Sequence, residues 1–566
     1  MQGKRFPVEN ISQVRSDDSS DFEGFDEMDN RPDPNQCLAT NSDRRTTTIG
    51  GNTEPQNYRE AMASPHAESW KKAMAEELES IHANNTWTLA DLPPGRKAVG
   101  CKWVFKMKRD INGEIVRFKA RLVAQGFSQQ YGSDYDEVFA PVVQQTTFRT
   151  LMAVAAKKNM TVKQYDVKTA FLNGDLEEEI YMRQPCGFVQ RGSEGKVCRL
   201  HRSLYGLKQA ARAWNQKLHE ELVRQRFQRC DSDPCLYRKQ VKGRWCYVLV
   251  YVDDLVVVSE DPTMIEALAR KLKKSFEISE LGDIRYYLGM EVEKDQHGDY
   301  FLSQRKYIRE VVESSGLAEA KASKIPLDPG YIKSDSEGTP LETNTEYQKL
   351  IGKVLYIAVN TRPDISTAVS ILSRKTNQPT QEDWTELKRV VRYLKGTADY
   401  RLRLSRRGET GTITGYSDAD WAENRDDRKS HSGFTFKING GTVSWACRKQ
   451  TCVALSTAEA EFIALAEAAQ EALWLKLLLQ ELNDEQRVVI HEDNQSCLKI
   501  MEREKLTRKM KHIATKFHFT KDLVEKQEIE CVYCPSEDMV ADLLTKPLAR
   551  TRLEKLAKLI GLTVAV

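Results

Sequence analysis

The sequence predicts an α+β fold in two successive parts: an antiparallel sheet flanked by helices, and after Arg407 a separate α/β domain. Three observations carry this. Strand-like runs and amphipathic helices follow one another up to about residue 405 without the regular βαβ alternation of a parallel sheet. Beyond Arg407 the order becomes three strands, helix, strand, helix, strand or turn, helix. The length of 566 residues exceeds what one hydrophobic core sustains, so two or three domains are expected.

Composition narrows the function classes. A chain 40% apolar and 30% charged reads as soluble and globular, and its longest apolar runs, such as "WCYVLVYV", fall far short of the ~20 residues of a spanning helix. The start, "MQGKRFPVENISQ", lacks the apolar core of a secretory signal, which predicts a cytosolic chain with reduced cysteines. Residues 1–50 hold six Lys/Arg against ten Asp/Glu, a local −4 that leaves +7 of the net +3 for the remainder. A basic folded part is weak support for a polyanionic partner.

The elements follow in order. Residues 1–60, rich in Ser, Asp, Asn, Thr and Gln, read as a disordered tail or linker. From "SPHAESWKKAMAEELESIHANNTWTL" the pattern turns helical, with Trp70, Met74, Leu78 and Ile81 at helix spacing. "KWVFKMKRDINGEIVRFKARLVAQGF" reads as two strands about Asn112-Gly113, a strong hairpin signal. Its second strand puts Arg117, Lys119 and Arg121 on one face and Val116, Phe118, Ala120 and Leu122 on the other. Such a cationic row is either a solvated face or a phosphate-gripping finger. "MTVKQYDV" gives a strand ending at Asp166, followed by a turn through Asn173-Gly174. "SLYGLKQAARAWNQKLHEEL" begins as a loop and continues as an amphipathic helix, "CYVLVYVDDLVVVS" is an apolar hairpin, and "MIEALARKLKKSFEI" is a helix with a cationic face. Residues 321–405 are mostly helical and basic, and 406–566 form the α/β domain.

Asp253 and Asp254 interrupt that apolar hairpin. Paired acids are common in turns, but turn acids usually sit among polar residues, whereas "VLVYV" and "LVVV" enclose these. Two carboxylates in such surroundings repel one another and lose hydration, so one would protonate unless a cation intervened. A divalent metal resolves the conflict, since hard oxygen ligands suit Mg²⁺ and a metal pair can hold the attacking and leaving oxygens of a phosphoryl transfer. Asp166 is the best-placed third carboxylate.

In its motifs the chain resembles copia-type LTR retrotransposon Pol polyproteins. "YVDDL" looks like the Tyr-x-Asp-Asp box of reverse transcriptases, and "KWVFKMK", "RFKARLVAQGF", "DYDEVFAPVV", "QYDVKTAFLNGDLEEEIYM", "SLYGLKQAARAWN", "YYLGMEV" and "TRPDISTAVSILSR" match the family in order, across about residues 60–566. The resemblance implies a right-hand polymerase, with fingers and palm over 61–320 and thumb or connection helices over 321–405. It implies that Asp166, Asp253 and Asp254 bind two Mg²⁺ ions, Asp253 more directly than Asp254. Phe171 corresponds to the aromatic that rejects a 2′-OH, Lys119 and Arg121 to cations on the triphosphate, Tyr205 to the dNTP pocket, and Tyr286 to Met290 to the primer grip. Ala211 stands where the family usually has proline.

In the second part, "YSDADWA" offers Asp418 and Asp420 on one strand face, and "STAEAEF" offers Glu459 and Glu461. Ser456 and Glu459 have capping-box spacing, which assigns Glu459 to the helix start and leaves Glu461 to face the sheet. Asp493 ends the next strand and Asp542 opens the last helical turn. This region resembles the copia-type RNase H domain through "YSDADWA", "DRKSHSGF", "SWACRKQ", "ALSTAEAEFIAL", "EDNQS" and "ADLLTKPL". The resemblance implies an RNase H-like α/β domain over 406–566, in which Asp418, Glu461, Asp493 and Asp542 hold two metal ions, with Asp420 the rival for the first position. His431 replaces a small hydroxyl residue, and Ala514 stands where an acid is frequent. His512, His518, Cys531 and Cys534 lack the close four-ligand spacing of a zinc site.

Together these features imply an RNA-directed DNA polymerase with RNase H, using Mg²⁺, or Mn²⁺ in its place. The implied partners are an RNA template, a DNA primer, an RNA–DNA hybrid and dNTPs, with no membrane. Particle protein, protease and integrase would be encoded upstream, and the location would be cytoplasmic particles, with a nuclear stage. The alternative is a truncated, non-catalytic nucleic-acid-binding remnant.

Overall fold

The computed structural model describes residues 54–109, 114–333, 338–406, 411–423, 427–502 and 512–564; of Lys333 only the backbone is described. Residues 1–53 and the Asn112-Gly113 turn lie outside these. Helix Tyr58–Ala63 falls partly inside the stretch expected to be linker; Asn57 caps it, accepting from Glu60 N at 3.0 Å. From Glu54 onward the chain packs as one compact unit.

Helix Ala67–Ala83 buries Trp70, Met74 and Ile81 against a hairpin of Cys101–Arg109 and Ile115–Ala124. Trp70 meets Phe105 and Phe118 edge-on at 5.1 and 4.7 Å. Alternation puts Trp103, Phe105, Met107, Ala120 and Leu122 into this core and turns Arg117 out. Near the tip the apolar face opens, and Val116 is 67% exposed.

The central sheet has six antiparallel strands, in the order Ile278–Asp283, Thr161–Val167, Asp254–Ser259, Arg244–Tyr251, Leu236–Val241 and Gln228–Arg229. Both of its faces are covered. Val248, Val250, Leu255 and Val257 meet helices Ala210–Arg224 and Pro262–Ser275 on one side. Tyr247, Leu249, Val256 and Val258 share the opposite core with helix Gln145–Lys157. A strand buried on both faces needs no polar alternation, which is why "VLVYV" and "LVVV" read as continuous apolar runs. Ala211 lies in the first turn of helix Ala210–Arg224.

A second sheet runs Tyr286–Tyr287, Met290–Lys294, Tyr300–Ser303, Tyr400–Leu404 and Leu562–Val564. Its last strand comes from the chain's final residues, so the 406–566 region closes back onto the preceding part. Helices Thr345–Asn360 and Gln381–Gly396 belong to this middle region, the latter opened by a capping box between Thr380 and Asp383.

The third sheet, Gly441–Lys449, His431–Ile438, Thr412–Ala419, Arg487–Glu492 and Glu530–Tyr533, is antiparallel through its first three strands and parallel thereafter. Helix Thr457–Glu481 packs across it. The far end of that helix docks on the central sheet, where Glu481 accepts from Asp231 N at 2.8 Å and Tyr247 Oη donates to Leu482 O at 2.7 Å. The architecture is α+β with an RNase H-like α/β part, as predicted. Among the described residues no helix is long and apolar enough to cross a membrane.

Candidate active sites

The first site grows from the tight turn between Arg244–Tyr251 and Asp254–Ser259. Tyr251 and Asp254 pair across it, leaving Val252 and Asp253 as the two loop residues. Val252 adopts φ = +51°, a left-handed conformation that a β-branched residue tolerates only when its surroundings enforce it. Two contacts do so: Trp214 Nε1 donates to Val252 O at 2.6 Å, and Val167 N donates to Asp253 O at 2.8 Å. The strain projects Asp253 at the tip. Asp254 lies directly opposite Asp166 on the neighbouring strand, so those two carboxylates share a face.

A cavity of about 410 Å³ opens between the hairpin and this turn, lined by Asp166, Asp253, Lys119, Arg121, Lys168 and Glu77 among others. Burial pushes the Asp253 carboxyl above its ordinary value, Asp166 adding to the effect and Arg121 and Lys119 opposing it. Asp254 does not line the cavity. Burial, then Asp253, push Asp254 up to about 6, against a 3.4 Å hydrogen bond from Gln164 Nε2. Phe171 and Tyr205 also stand back from the cavity wall. Phe171 lies edge-on to Tyr205 at 5.1 Å, and the Arg121 guanidinium sits over the Tyr205 ring at 4.3 Å. Over Tyr286–Met290, Tyr286 is exposed while Tyr287 and Met290 are buried, Tyr287 stacking on Phe148 at 4.2 Å.

Sequence reasoning missed Glu77. It is 8% exposed, receives Leu122 N at 3.4 Å, and its carboxyl is raised by burial and lowered by Arg121. It supplies the counter-charge for the hairpin cations. Its position in helix Ala67–Ala83 carries no signal beyond an acid on a helix that is otherwise amphipathic.

The second site gathers Asp418, Glu461 and Asp493, with one carboxylate oxygen from each lying within 4.8 Å of the others. Among the described residues this is the one trio of metal-binding type drawn so close; Asp166, Asp253 and Asp254 are more widely spread. Glu461 Oε2 accepts from Ala419 N at 2.7 Å, tying helix to strand. Burial raises the Asp418 and Glu461 carboxyls, Lys546 opposing at Asp418 while the neighbouring acids add at Glu461.

The rivals separate cleanly. Asp420 lies just past strand Thr412–Ala419 and is occupied by His431, accepting from its backbone N at 3.0 Å and facing its Nδ1 at 2.6 Å. His431 therefore holds Asp420 away from the trio. Glu459 sits at the helix start, where its backbone N donates to Ser456 Oγ at 3.3 Å. Its Oε2 accepts from Leu455 N at 3.0 Å, one residue before the capping-box position, and its Oε1 contacts His512 Nε2.

Asp542 is not in the close trio. It is held by Lys546 Nζ at 2.8 Å and Arg552 Nη2 at 2.7 Å, while Lys546 Nζ also reaches Asp418 Oδ1 at 3.1 Å. Thr545 Oγ1 donates to Asp418 Oδ2. The turn Val540–Leu544 can come this close because residue 433 is glycine, whose missing Cβ would lie 2.6 Å from Thr545 Cγ2 and 2.9 Å from Leu544 Cβ. A fifth acid, Glu492, was unforeseen. It is fully buried, accepting from Ser417 Oγ at 2.8 Å and Asn494 N at 3.1 Å, and its carboxyl is raised chiefly by burial. Cys531 lies on strand Glu530–Tyr533 and Cys534 follows it, donating its N to Glu492 O.

Every donor at both centres is a carboxylate oxygen, the donor class of hard divalent cations rather than of zinc. Burial and neighbouring acids disfavour the ionised carboxyls, and a divalent cation would offset both costs, so the residues fit Mg²⁺.

The family model for reverse transcriptase (RNA-dependent DNA polymerase) matches residues 84–329. The retrovirus-related Pol polyprotein from transposon TNT 1-94 of Nicotiana tabacum is 39% identical over 524 residues, 91% of this chain and 39% of that protein. The putative transposon Ty5-1 protein of Saccharomyces cerevisiae is 32% identical over 307 residues, 54% of this chain and 99% of that one. The solved structure of a foamy viral protease-reverse transcriptase in complex with double-stranded DNA aligns over 87% of this chain and 84% of that one, at 12% identity and a TM-score of 0.43. The chain spans about two fifths of the length of the tobacco polyprotein.

Proposed function

This chain belongs to the reverse transcriptase family of copia-type transposon Pol polyproteins, and on that premise we propose that it copies an RNA template into DNA and cleaves the RNA of the resulting hybrid. One observation carries the polymerase reading: Asp166 and Asp253 line the same cavity as Lys119 and Arg121. Acids and cations in one cavity suit a triphosphate whose charge the cations meet and whose reacting phosphorus lies by the acids.

Asp166 and Asp253 would hold Mg²⁺, with Asp254 behind them, and at the second centre Asp418, Glu461 and Asp493 would do so, joined by Asp542. When bound, the metal neutralises phosphate charge and lowers the pKa of the attacking hydroxyl or water. The protein's own part is placement. Lys119 and Arg121 draw the triphosphate into the cavity, Tyr205 supports Arg121 through its ring, and Phe171 backs the sugar from behind the cavity wall, against Tyr205. Helix Thr457–Glu481 and strand Thr412–Ala419 fix Glu461 and Asp418 against each other, so hybrid cleavage requires little reorganisation of acids.

The partners proposed are therefore an RNA template, a DNA primer, the hybrid and dNTPs, in a cytoplasmic particle that includes the sister domains of a full polyprotein. The test is primer extension on an RNA template with dNTPs and Mg²⁺, comparing this chain with Asp253→Asn. Extension by the unsubstituted protein alone is expected. Template binding without extension would overturn the reading and leave a nucleic-acid-binding remnant.

A further inference from the structure

Lys546 occupies the position between Asp418 and Asp542 where a cation is called for. Its Nζ lies 3.1 Å from Asp418 Oδ1 and 2.8 Å from Asp542 Oδ1, so one ammonium serves both acids. Asp418 is completely buried and Asp542 partly so. The two basic partners of Asp542 differ in how they are held. Arg552 is anchored by further hydrogen bonds to Ser536 O and Glu537 O. The Lys546 side chain makes only its two carboxylate contacts among the described residues and is 36% exposed. A four-carbon stem with an open route to solvent can withdraw its charge; a guanidinium clamped to two carbonyls cannot do so without leaving donors and acceptors unpaired.

We propose that Lys546 is a built-in counter-ion that stands in for a divalent ion between Asp418 and Asp542 and must leave when that ion loads. The inference rests on the ribonuclease H reading of this centre. Among the described residues no lysine pairs with Glu461 or Asp493, so a first ion at the trio would meet Lys546 only at Asp418. A second ion held by Asp418 and Asp542 would compete with the ammonium for the same oxygens. Lys546 is thus a positioning residue that keeps the metal-free acids together and sets the metal concentration at which the centre fills.

Two measurements on the full chain test this. Isothermal titration with Mn²⁺ is expected to show tighter binding by Lys546→Met than by the unsubstituted protein, on the order of tenfold to a hundredfold, as removal of a competing unit charge within a few ångströms implies. Lys546→Arg should not gain that affinity. In the unsubstituted protein, acetylation of Lys546 by an N-hydroxysuccinimide ester, read by mass spectrometry, should speed up severalfold when Mg²⁺ is added, while the remote Lys349 serves as the constant reference. This second arm needs no variant to fold. Unchanged or weaker Mn²⁺ binding by folded Lys546→Met, or Lys546 acetylation that Mg²⁺ slows or leaves alone, would overturn the inference while leaving the metal centre standing. Both titrations are made in the Asp253→Asn background so that the first centre does not mask the second, and if neither protein then binds Mn²⁺, the ribonuclease H reading itself fails.

Discussion

Asp254 pairs with Asp166 across neighbouring antiparallel strands, yet it is Asp253, at the tip of the strained turn, that joins Asp166 on the cavity wall. Adjacent acids have thus been given different positions. Asp253→Asn is expected to abolish primer extension, by about a thousandfold or more as loss of a metal-holding carboxylate implies. Asp254→Asn should cost less, about tenfold to a hundredfold, because Asp254 is turned toward Gln164. Single-turnover extension at saturating template would decide it, and equal losses would refute the division of labour.

Glu459 and Glu461 divide in the same way, one serving the helix end and one the acid trio. Glu461→Gln should eliminate cleavage of an RNA–DNA hybrid. Glu459→Gln should retain most cleavage and lose about 1 kcal/mol of stability, the typical worth of a helix-start interaction. The reverse pattern in a cleavage assay would invert the assignment.

The placement of Asp253 and Asp254 in an apolar hairpin was legible in the sequence because burial on both sheet faces leaves a mark there, a continuous apolar run that the two acids interrupt. Glu461 was legible through helix-start chemistry, which removed Glu459 from the choice. Asp418 and Asp420 could not be separated by local rules alone, since their difference depends on His431, a residue 11 positions away that reaches Asp420 only once the two strands pair. Glu77, Glu492 and Lys546 were illegible for the same reason. Each acts through a partner brought near by tertiary packing, and "EDN" or "LTK" has no periodicity that would reveal it. The final strand Leu562–Val564 was also hidden, because three residues are too few for an alternation to register.

Arg149 is another such residue. Fully enclosed, it donates Nε to Val443 O at 2.6 Å and Nη1 to Val359 O and Asn360 O at 3.0 and 3.1 Å, with its guanidinium 4.0 Å over Trp445. It therefore joins helix Gln145–Lys157, the carboxyl end of helix Thr345–Asn360 and strand Gly441–Lys449. Burial pushes it down to about 9, and helix-end carbonyls offset part of that cost. Arg149→Met leaves three carbonyls, those of Val443 and Asn360 in buried residues, without this donor and should lose about 3 kcal/mol in urea unfolding. A loss under about 1 kcal/mol would mean that solvent replaces the lost donor.

Lys437 gives a pH dependence. Burial lowers its ammonium from 10.5 to about 8, so the folded state disfavours the charge that the unfolded state accepts. The penalty is full below about pH 8 and disappears as pH rises toward 10.5. The unsubstituted protein should therefore gain stability relative to Lys437→Met across that window, and the melting-temperature difference should be flat below it. A difference that stays constant from pH 7 to 10.5 would contradict the shift.

Tyr205 links the two ends of the nucleotide site, with Arg121 over its ring at 4.3 Å and Phe171 against its edge at 5.1 Å. On the proposed reading the first contact positions a phosphate-binding cation and the second an aromatic behind the sugar, so one substitution should disturb both. Tyr205→Ala removes a cation–π contact and an aromatic pair, each worth about 1 kcal/mol. The expected result is a dNTP KM raised about tenfold together with weaker discrimination against ribonucleotides. Tyr205→Phe keeps the ring and should keep both properties, which separates this role from any function of the hydroxyl. Steady-state extension with matched dNTP and NTP would read the two effects independently. A change in KM with discrimination intact would show that Phe171 is held by its other neighbours and that the coupling through Tyr205 does not exist.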